Sequence, residues 1–294
     1  MDDHEGLAER FEAQRGRLEA VAYRMLGSRS EAEDAVQESW LRLGRAEVSG
    51  VENLAGWLRT VVTRICLDML RARGSRREDL TEQQVLDQLS ESSPESRPED
   101  EAVLADSVSR ALLVVLDTLE PAERVAFVLH DMFGVPFDRI APIVERTPVT
   151  TKKLASRARR KVRGTPVVPA DELARHRQVV AAFLSAARAG DLTAILAVLA
   201  PDVVRRSDPA VLPPGAAAEV RGARAVAEGT VLLAGRSRLA ELALVDGEVG
   251  LVVAPRGRLL AALTFTVEED RITSYEVIAD PARLRRLELA VLTP

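Results

Sequence analysis

Cysteine is almost missing from this sequence: Cys66 is the only one among 294 residues. A single thiol excludes an internal disulfide framework and a cysteine-built zinc site. Aromatic residues make up only 3%, so the cores must be filled by Ala, Val and Leu. No apolar run approaches the roughly 20 residues of a membrane-spanning helix. The N-terminal MDDHEGLAER lacks signal-peptide character. These absences predict a soluble, cytoplasmic protein with no membrane partner, and nothing in the sequence asks for a metal or another cofactor. Positive charge is also in short supply overall, with 40 Lys and Arg against 45 Asp and Glu and a formal net charge of -5. Such a chain does not coat nucleic acid indiscriminately, and any nucleic-acid contact must be confined to a patch.

One patch stands out. Between Thr147 and Gly164 lie seven bases and no acid: Lys152, Lys153, Arg157, Arg159, Arg160, Lys161 and Arg163. Thr147 and Pro148 supply an N-cap residue and a proline at the first helical position. A short helical segment, PFDRIAPIVER, precedes them. Helix, tight turn and basic second helix outline a DNA-binding helix-turn-helix.

The first 75 residues have helical periodicity. Leu7, Phe11, Leu18, Val21, Ala22 and Met25 form one stripe, which Gly27 ends. Ser30 with Glu33 predicts a capping box for a second helix, whose Ala32, Val36, Trp40 and Leu43 face one way. A third helix is predicted from about Leu54 to Arg71 on Leu58, Val62, Ile65 and Met69. Residues 76–101 hold nine acids and three bases, with two prolines, and are expected to be a flexible acidic linker. Helix resumes at about Asp106, with Pro121 starting a further helix, and GTPVVPA forms a second linker. A helix over Asp171–Ala189 and another ending near Pro201 lead into LAELALV, EVGLVVA, RLLAALTFTV and RITSYEVI. These runs are strand-like and are joined at Asp246-Gly247, Arg256-Gly257 and Glu269-Asp270. Helices followed by an antiparallel meander predict an α+β domain.

EAEDAVQESWLRL, AGWLRTVVTRICLDMLRAR, LEPAERVAFVLHDMFGVPFDRIAPIVE and TTKKLASRARRKV, in that order, resemble the sigma-70-type factors of bacterial RNA polymerase, in their compact extracytoplasmic-function form. The C-terminal HRQVVAAFLSAARAGDLTAILAVLAPDVV resembles a SnoaL-like domain, a cone-shaped fold shared with polyketide cyclases and ketosteroid isomerases. The resemblance implies two all-α sigma domains, the second a helix-turn-helix, followed by an α+β SnoaL-like domain. The expected divisions are a core-binding, minus-ten domain over 1–75, the acidic linker over 76–105, a minus-thirty-five domain over 106–164, a short linker over 165–170 and the SnoaL-like domain over 171–294.

Its implied partners are core RNA polymerase and promoter DNA. Asp34, Gln37 and Glu38 match the surface for the polymerase clamp helices, whereas Trp40 is expected in the core. GRAEVSGVEN corresponds to the loop that receives a flipped promoter base. Arg59, Arg64, Arg71 and Arg73 are candidates for the strand backbone. Thr150, Lys152, Lys153 and Arg157 are expected to read minus-thirty-five bases, and Arg159, Arg160, Lys161 and Arg163 to hold phosphates. Two departures stand out. Pro142 lies within the first helix of the motif, and Glu145 occupies the family's turn-glycine position, so both are expected to disturb the turn.

The resemblance further implies that the C-terminal domain contacts the sigma part and tunes it in place of a separate anti-sigma protein. The segment DPARLRRL resembles a docking motif with Arg283, Arg285 and Arg286, while SDPA replaces a glycine-rich turn near 207–210. A catalytic C-terminal domain would draw on Asp202, Asp208, Glu241, Glu276, Tyr275 or His176, but the reading is non-enzymatic. The competing readings are a SnoaL-like enzyme or ligand sensor fused to a helix-turn-helix regulator, and a sigma-like protein without promoter activity.

Overall fold

A computed structural model describes residues 2–45, 53–75, 109–212 and 216–292. Most of the GRAEVSGVEN loop and the acidic linker lie outside these residues. The chain divides into two units, Met1–Glu78 with Leu116–Arg160, and Asp79–Val115 with Lys161–Pro294.

In the first unit, α1 (Asp2–Leu26), α2 (Arg29–Arg45) and α3 (Leu54–Ser75) pack on one another. The predicted stripes meet between them: Phe11, Met25, Val36, Leu43, Leu58 and Val62 are all buried. Trp40 is half-buried and packs on Phe11 at 4.9 Å between ring centroids. Gly27 ends α1 with φ 73 and donates to the Tyr23 carbonyl at 2.8 Å. The capping-box expectation is corrected. Ser28, not Ser30, stands before α2, and its Oγ lies 3.5 Å from the Glu31 amide, while Glu33 pairs with Arg29. Two serines a residue apart offer the same signal, and helix entry at Arg29 selects the first. Cys66 is buried, which pushes its thiol up to about 12.

The second half of this unit starts with α5 (Pro121–Phe127), which continues as a π-helical turn, Val128–Met132, before α6 (Phe137–Ile140) and α7 (Pro148–Arg163). The helix predicted from about Asp106 is described from Arg110 as α4 (Arg110–Asp117), with the Ser109 hydroxyl 3.2 Å from the Leu112 amide. Phe133 is half-buried beneath the Arg24 guanidinium, which lies 5.2 Å from its ring centroid.

In the second unit α8 (Ala170–Ala189) and α9 (Leu192–Val198) precede a seven-stranded sheet of order β2-β1-β6-β5-β4-β3-β7. Gly190 ends α8 at φ 67, and Asp191 caps α9 by accepting from the Ala194 amide at 3.0 Å. The four predicted strands are β3 (Ala240–Val245), β4 (Glu248–Val253), β5 (Ala261–Glu268) and β6 (Arg271–Ile278), paired antiparallel in sequence. Positive φ at Asp246, Gly247, Glu269 and Asp270 makes two of the three predicted turns the tight primed kind. Arg256-Gly257 instead belongs to a 3₁₀ turn, Pro255–Gly257.

The helix expected to end near Pro201 stops at Val198, and β1 (Leu199–Ser207) begins there. It runs parallel to β6, with its register shifted between Leu199 and Val204. Pro201 falls in that irregularity, where a missing amide is tolerated. The unit also contains two short strands and a longer helix: β2 (Glu219–Arg221) pairs with β1, α10 (Ala223–Leu232) follows it, and β7 (Leu289–Ala290) pairs with β3. Gly164 has φ 61, and a Cβ there would overlap that of Ala290, so the chain leaving α7 needs glycine at this point. The core gathers Phe183, Phe265 and Tyr275, with ring centroids 5.5–5.6 Å apart. Helices over a mostly antiparallel sheet fit a SnoaL-like fold.

Candidate nucleic-acid interface and identity

The turn before α7 is built around the two residues expected to disturb it. Pro142 has no amide to offer, and regular α-helix ends two residues earlier at Ile140. The chain keeps winding through Ile143 and Val144 amides, both donated to the Ile140 carbonyl at 2.9 and 3.2 Å. Glu145 then adopts φ 56, and the Arg146 amide reaches back to the Ala141 carbonyl at 3.0 Å. A left-handed residue followed by this six-to-one bond is a Schellman ending, formed here without glycine. Thr147 closes the turn. Its Oγ1 accepts from the Thr150 amide at 3.2 Å, and its carbonyl accepts from the buried Thr151 hydroxyl at 2.9 Å. Pro148 occupies the first position of α7.

On α7, Thr151, Leu154, Ala155, Ala158 and Val162 are buried. Leu154 and Ala155 meet Ala126, with Ala122 and Phe137 beside them. The opposite face carries Lys152, Lys153, Ser156, Arg157 and Arg160, all exposed. Lys161 and Arg163 are exposed towards the helix end. Thr150 is half-buried, its hydroxyl 3.0 Å from that of Thr147, so it serves the cap. Arg159 is half-buried and pairs with Asp131 of the π-helical turn. Val149, which sequence reasoning passed over, is 67% exposed in the first turn of the same basic face. Its signal was present, since it falls seven residues before Ser156 and eleven before Arg160, on one helical stripe.

On α2, Asp34 and Gln37 are exposed, and Glu38 is half-buried and bonded to Arg42 at 2.9 Å. On α3, Arg64 is exposed and Arg59 partly so, with no ion pair to either among the described residues. Arg73 is committed elsewhere: it pairs with Glu31 and donates to the Leu26 carbonyl at 2.9 Å. Arg71 lies between Asp68 and Glu145, at 3.8 Å from each.

Of the candidate catalytic groups of the C-terminal unit, Asp208 and Glu276 share a partner, Arg283, and the others are engaged or exposed elsewhere. Tyr275 is buried, its hydroxyl 3.1 Å from that of Thr230, and burial pushes its pKa up. Glu241 accepts from the Ala111 amide at 3.0 Å. His176 sits 3.8 Å from Glu172 on its own helix, and Asp202 is exposed. Burial opposes ionisation of Asp208, but the Asp280 and Ala279 amides and the Arg283 guanidinium outweigh it and hold its pKa below the usual range. Arg283 also binds Glu276 at 2.8 Å, so this residue of the DPARLRRL segment ties the end of β1 to β6. A cleft of about 350 Å³ beside them is lined by Thr264, Glu276, Arg283 and Arg286. Among the described residues no group of His, Cys, Asp and Glu could hold a metal ion, and no helix is long and apolar enough to cross a membrane.

The sequence matches the Sigma-70 region 2 family over residues 10–76 and the Sigma-70 region 4 family over residues 109–162, the second containing the whole turn and nearly all of α7. It is 34% identical to the probable ECF RNA polymerase sigma factor SigI of Mycobacterium tuberculosis, over 97% of each chain. The chain belongs to the ECF sigma factor family. SigJ of the same organism is 35% identical, with 92% of this chain and 91% of that one covered. Its crystal structure aligns over 94% of this chain and 98% of its own, at 32% identity and a TM-score of 0.47. As an ECF sigma factor the protein directs RNA polymerase to promoters. Factors of this kind are generally non-enzymatic regulators. Another solved neighbour is the sigma factor RpoE of Bartonella quintana in complex with the anti-sigma factor NepR, at 20% identity, 53% and 92% coverage and a TM-score of 0.36. The expectation that a separate anti-sigma protein is dispensable has no support among the comparisons.

Proposed function

We propose that α7 is the promoter-reading helix of this ECF sigma factor, and that it works through the face bearing Val149, Lys152, Lys153, Arg157 and Arg160. The observation that carries this reading is the division of one helix between a buried apolar side and a side of exposed cations. Lys152, Lys153 and Arg160 have no ion pair among the described residues. Unneutralised bases on an otherwise acidic chain repel one another along the helix, and phosphates relieve that repulsion. Residues near the helix start, Val149, Lys152, Lys153 and Arg157, face the base edges of the minus-thirty-five element. Arg160, Lys161 and Arg163 hold the backbone. Thr150 and Arg159 act by fixing the helix. Val149 adds what the charged residues lack, an apolar contact for a thymine methyl.

Asp34, Gln37 and Glu38 on α2 meet core polymerase, and Arg59 and Arg64 on α3 hold the melted strand. Residues 1–75 and 106–164 form the two sigma domains, a division that the family matches over 10–76 and 109–162 support, and 171–294 form the SnoaL-like domain. The protein works in the cytoplasm as a non-catalytic subunit. Its C-terminal domain tunes the sigma part, and the engaged state of Tyr275, Asp208 and Glu241 favours that role over acid-base chemistry.

Run-off transcription with purified core polymerase tests the reading. The full-length protein is expected to give transcripts from its promoters, and K153E/R160E to abolish them while still binding core. A K153E/R160E protein that transcribes as well as the wild type would exclude α7 as the reading helix.

A further inference from the structure

On the reading face of α7 one cation differs from the rest. Arg157 is 56% exposed at its side chain, yet its Nε lies 3.0 Å from Oε1 of Glu123, whose side chain is only 6% exposed. Glu123 belongs to the first turn of α5, thirty-four residues earlier in the chain. Ala122 and Ala126, on either side of it in α5, pack against Leu154 and Ala155 of α7. The carboxylate is thus set by the core of the helix-turn-helix and is withdrawn from the surface that meets DNA. Among the described residues Arg157 has no ion pair besides the one with Glu123, and its exposed guanidinium remains open to a ligand. Arg159, by contrast, pairs with a more exposed acid, Asp131, and is itself half-buried.

An arginine left to itself samples many rotamers, a freedom it loses on forming a directed contact. A buried acid at its Nε removes part of that freedom beforehand and aims the planar fork. Such a fork matches the O6 and N7 acceptors of guanine in the major groove, the commonest specific side-chain contact to DNA. A phosphate contact needs no such aiming, since a point charge at the surface suffices.

We propose that Glu123 is a positioning residue: it holds Arg157 in the orientation that reads a guanine of the minus-thirty-five element, without itself touching DNA. The proposal rests on α7 being the promoter-reading helix. It makes Glu123 a determinant of which promoters are chosen, although it carries the charge that DNA repels.

The test is a sequence-preference measurement on holoenzyme assembled from core polymerase and the full-length chain. It uses a promoter library randomised across the minus-thirty-five element, read at two salt concentrations. The wild type is expected to prefer guanine at one position by about 5- to 150-fold, the range of a good bidentate pair. R157A and R157K are expected to erase that preference, and R157K, which keeps the charge, to retain the wild-type salt dependence. E123Q is expected to weaken the preference at the same position and leave the others alone, and E123Q/R157A to match R157A. If E123Q instead raises binding to all sequences alike and steepens the salt dependence, Glu123 only screens Arg157 and the proposal is overturned. A position-independent loss with E123Q, accompanied by a lower melting temperature, overturns it in favour of a folding role, as does an R157K protein that keeps the preference. A wild-type holoenzyme with no preference anywhere in the element would overturn the reading of α7 as well. Preference in the wild type that survives R157A overturns this inference alone.

Discussion

Charge is arranged in opposite ways in α7 and in the C-terminal sheet unit. On α7, Lys152, Lys153 and Arg160 stand exposed with no ion pair among the described residues. In the sheet unit, Asp208 and Glu276 both bind Arg283, and Glu241 is taken up by the Ala111 amide. Like charges three or four residues apart on a helix cost a few tenths of a kcal/mol per pair. That penalty is tolerated where a ligand of opposite sign offsets it, and it has no purpose in a scaffold. On the proposed function, the contrast separates a surface kept open for a polyanion from a surface whose charges are paired within the fold. It also argues against reading the sheet unit's acids as idle catalytic groups.

The contrast would be sharpened most by a change confined to the satisfied side. Phe265 is buried against Phe183 and Tyr275. Phe265→Ala is expected to destabilise the protein by about 3–5 kcal/mol, by losing transfer energy and leaving a cavity. Urea unfolding measures this, and promoter preference of the folded fraction should not move. A change in which bases are preferred would break the separation between the two regions.

The open side predicts the reverse pattern. Arg160→Ala with Arg163→Ala should leave the free energy of unfolding in urea within about 0.5 kcal/mol of wild type, as exposed substitutions do. Holoenzyme binding should weaken on all promoters alike, and the slope of log affinity against log salt should become shallower by about 1.8, for two phosphates lost. An unchanged slope would mean that these cations do not face DNA.

How far this division was legible in sequence depends on how local each signal is. Helix α7 announced itself through Thr147, Pro148 and seven bases on one stretch. Strands β3 to β6 were read because Asp246-Gly247 and Glu269-Asp270 mark primed turns between alternating runs. Strand β1 was missed because Pro201 and two arginines disguise it, and its partner β6 lies some seventy residues away. The two-residue β7 has no period to detect. The ion pair of Glu123 with Arg157 was invisible for the same reason, since neither residue's neighbours point to the other. The Ser28 cap lost to Ser30 because the capping-box pattern does not fix where a helix enters.

A smaller effect tests the turn that aims the open face. Glu145 sits at φ 56, a conformation that costs a side-chain-bearing residue about 1–2 kcal/mol. Its pair with Arg71, at 3.8 Å between exposed groups, returns a few tenths at most. Glu145→Gly is therefore expected to stabilise the protein by about 1 kcal/mol in urea unfolding. A loss of stability would mean that the ion pair outweighs the backbone strain.

The smallest expected effect concerns the apolar residue on the charged face. Exposed apolar side chains occur in both regions, Val149 at 67% and Leu232 at 86%, and a lone one needs no explanation. Position distinguishes them. Apart from Pro148, Val149 is the only apolar side chain of α7 left exposed, and it leads the stripe that runs through Ser156 and Arg160. Val149→Ala should reduce the preference for one thymine by about 0.8 kcal/mol, the scale of a buried methylene, whereas Leu232→Ala should change no preference. Uracil in place of that thymine removes the methyl from the other side of the contact. It should weaken the wild type by the same amount and leave Val149→Ala unaffected, because a contact cannot be lost twice. Equal sensitivity of both proteins to uracil would show that the methyl is read elsewhere and that Val149 is as incidental as Leu232.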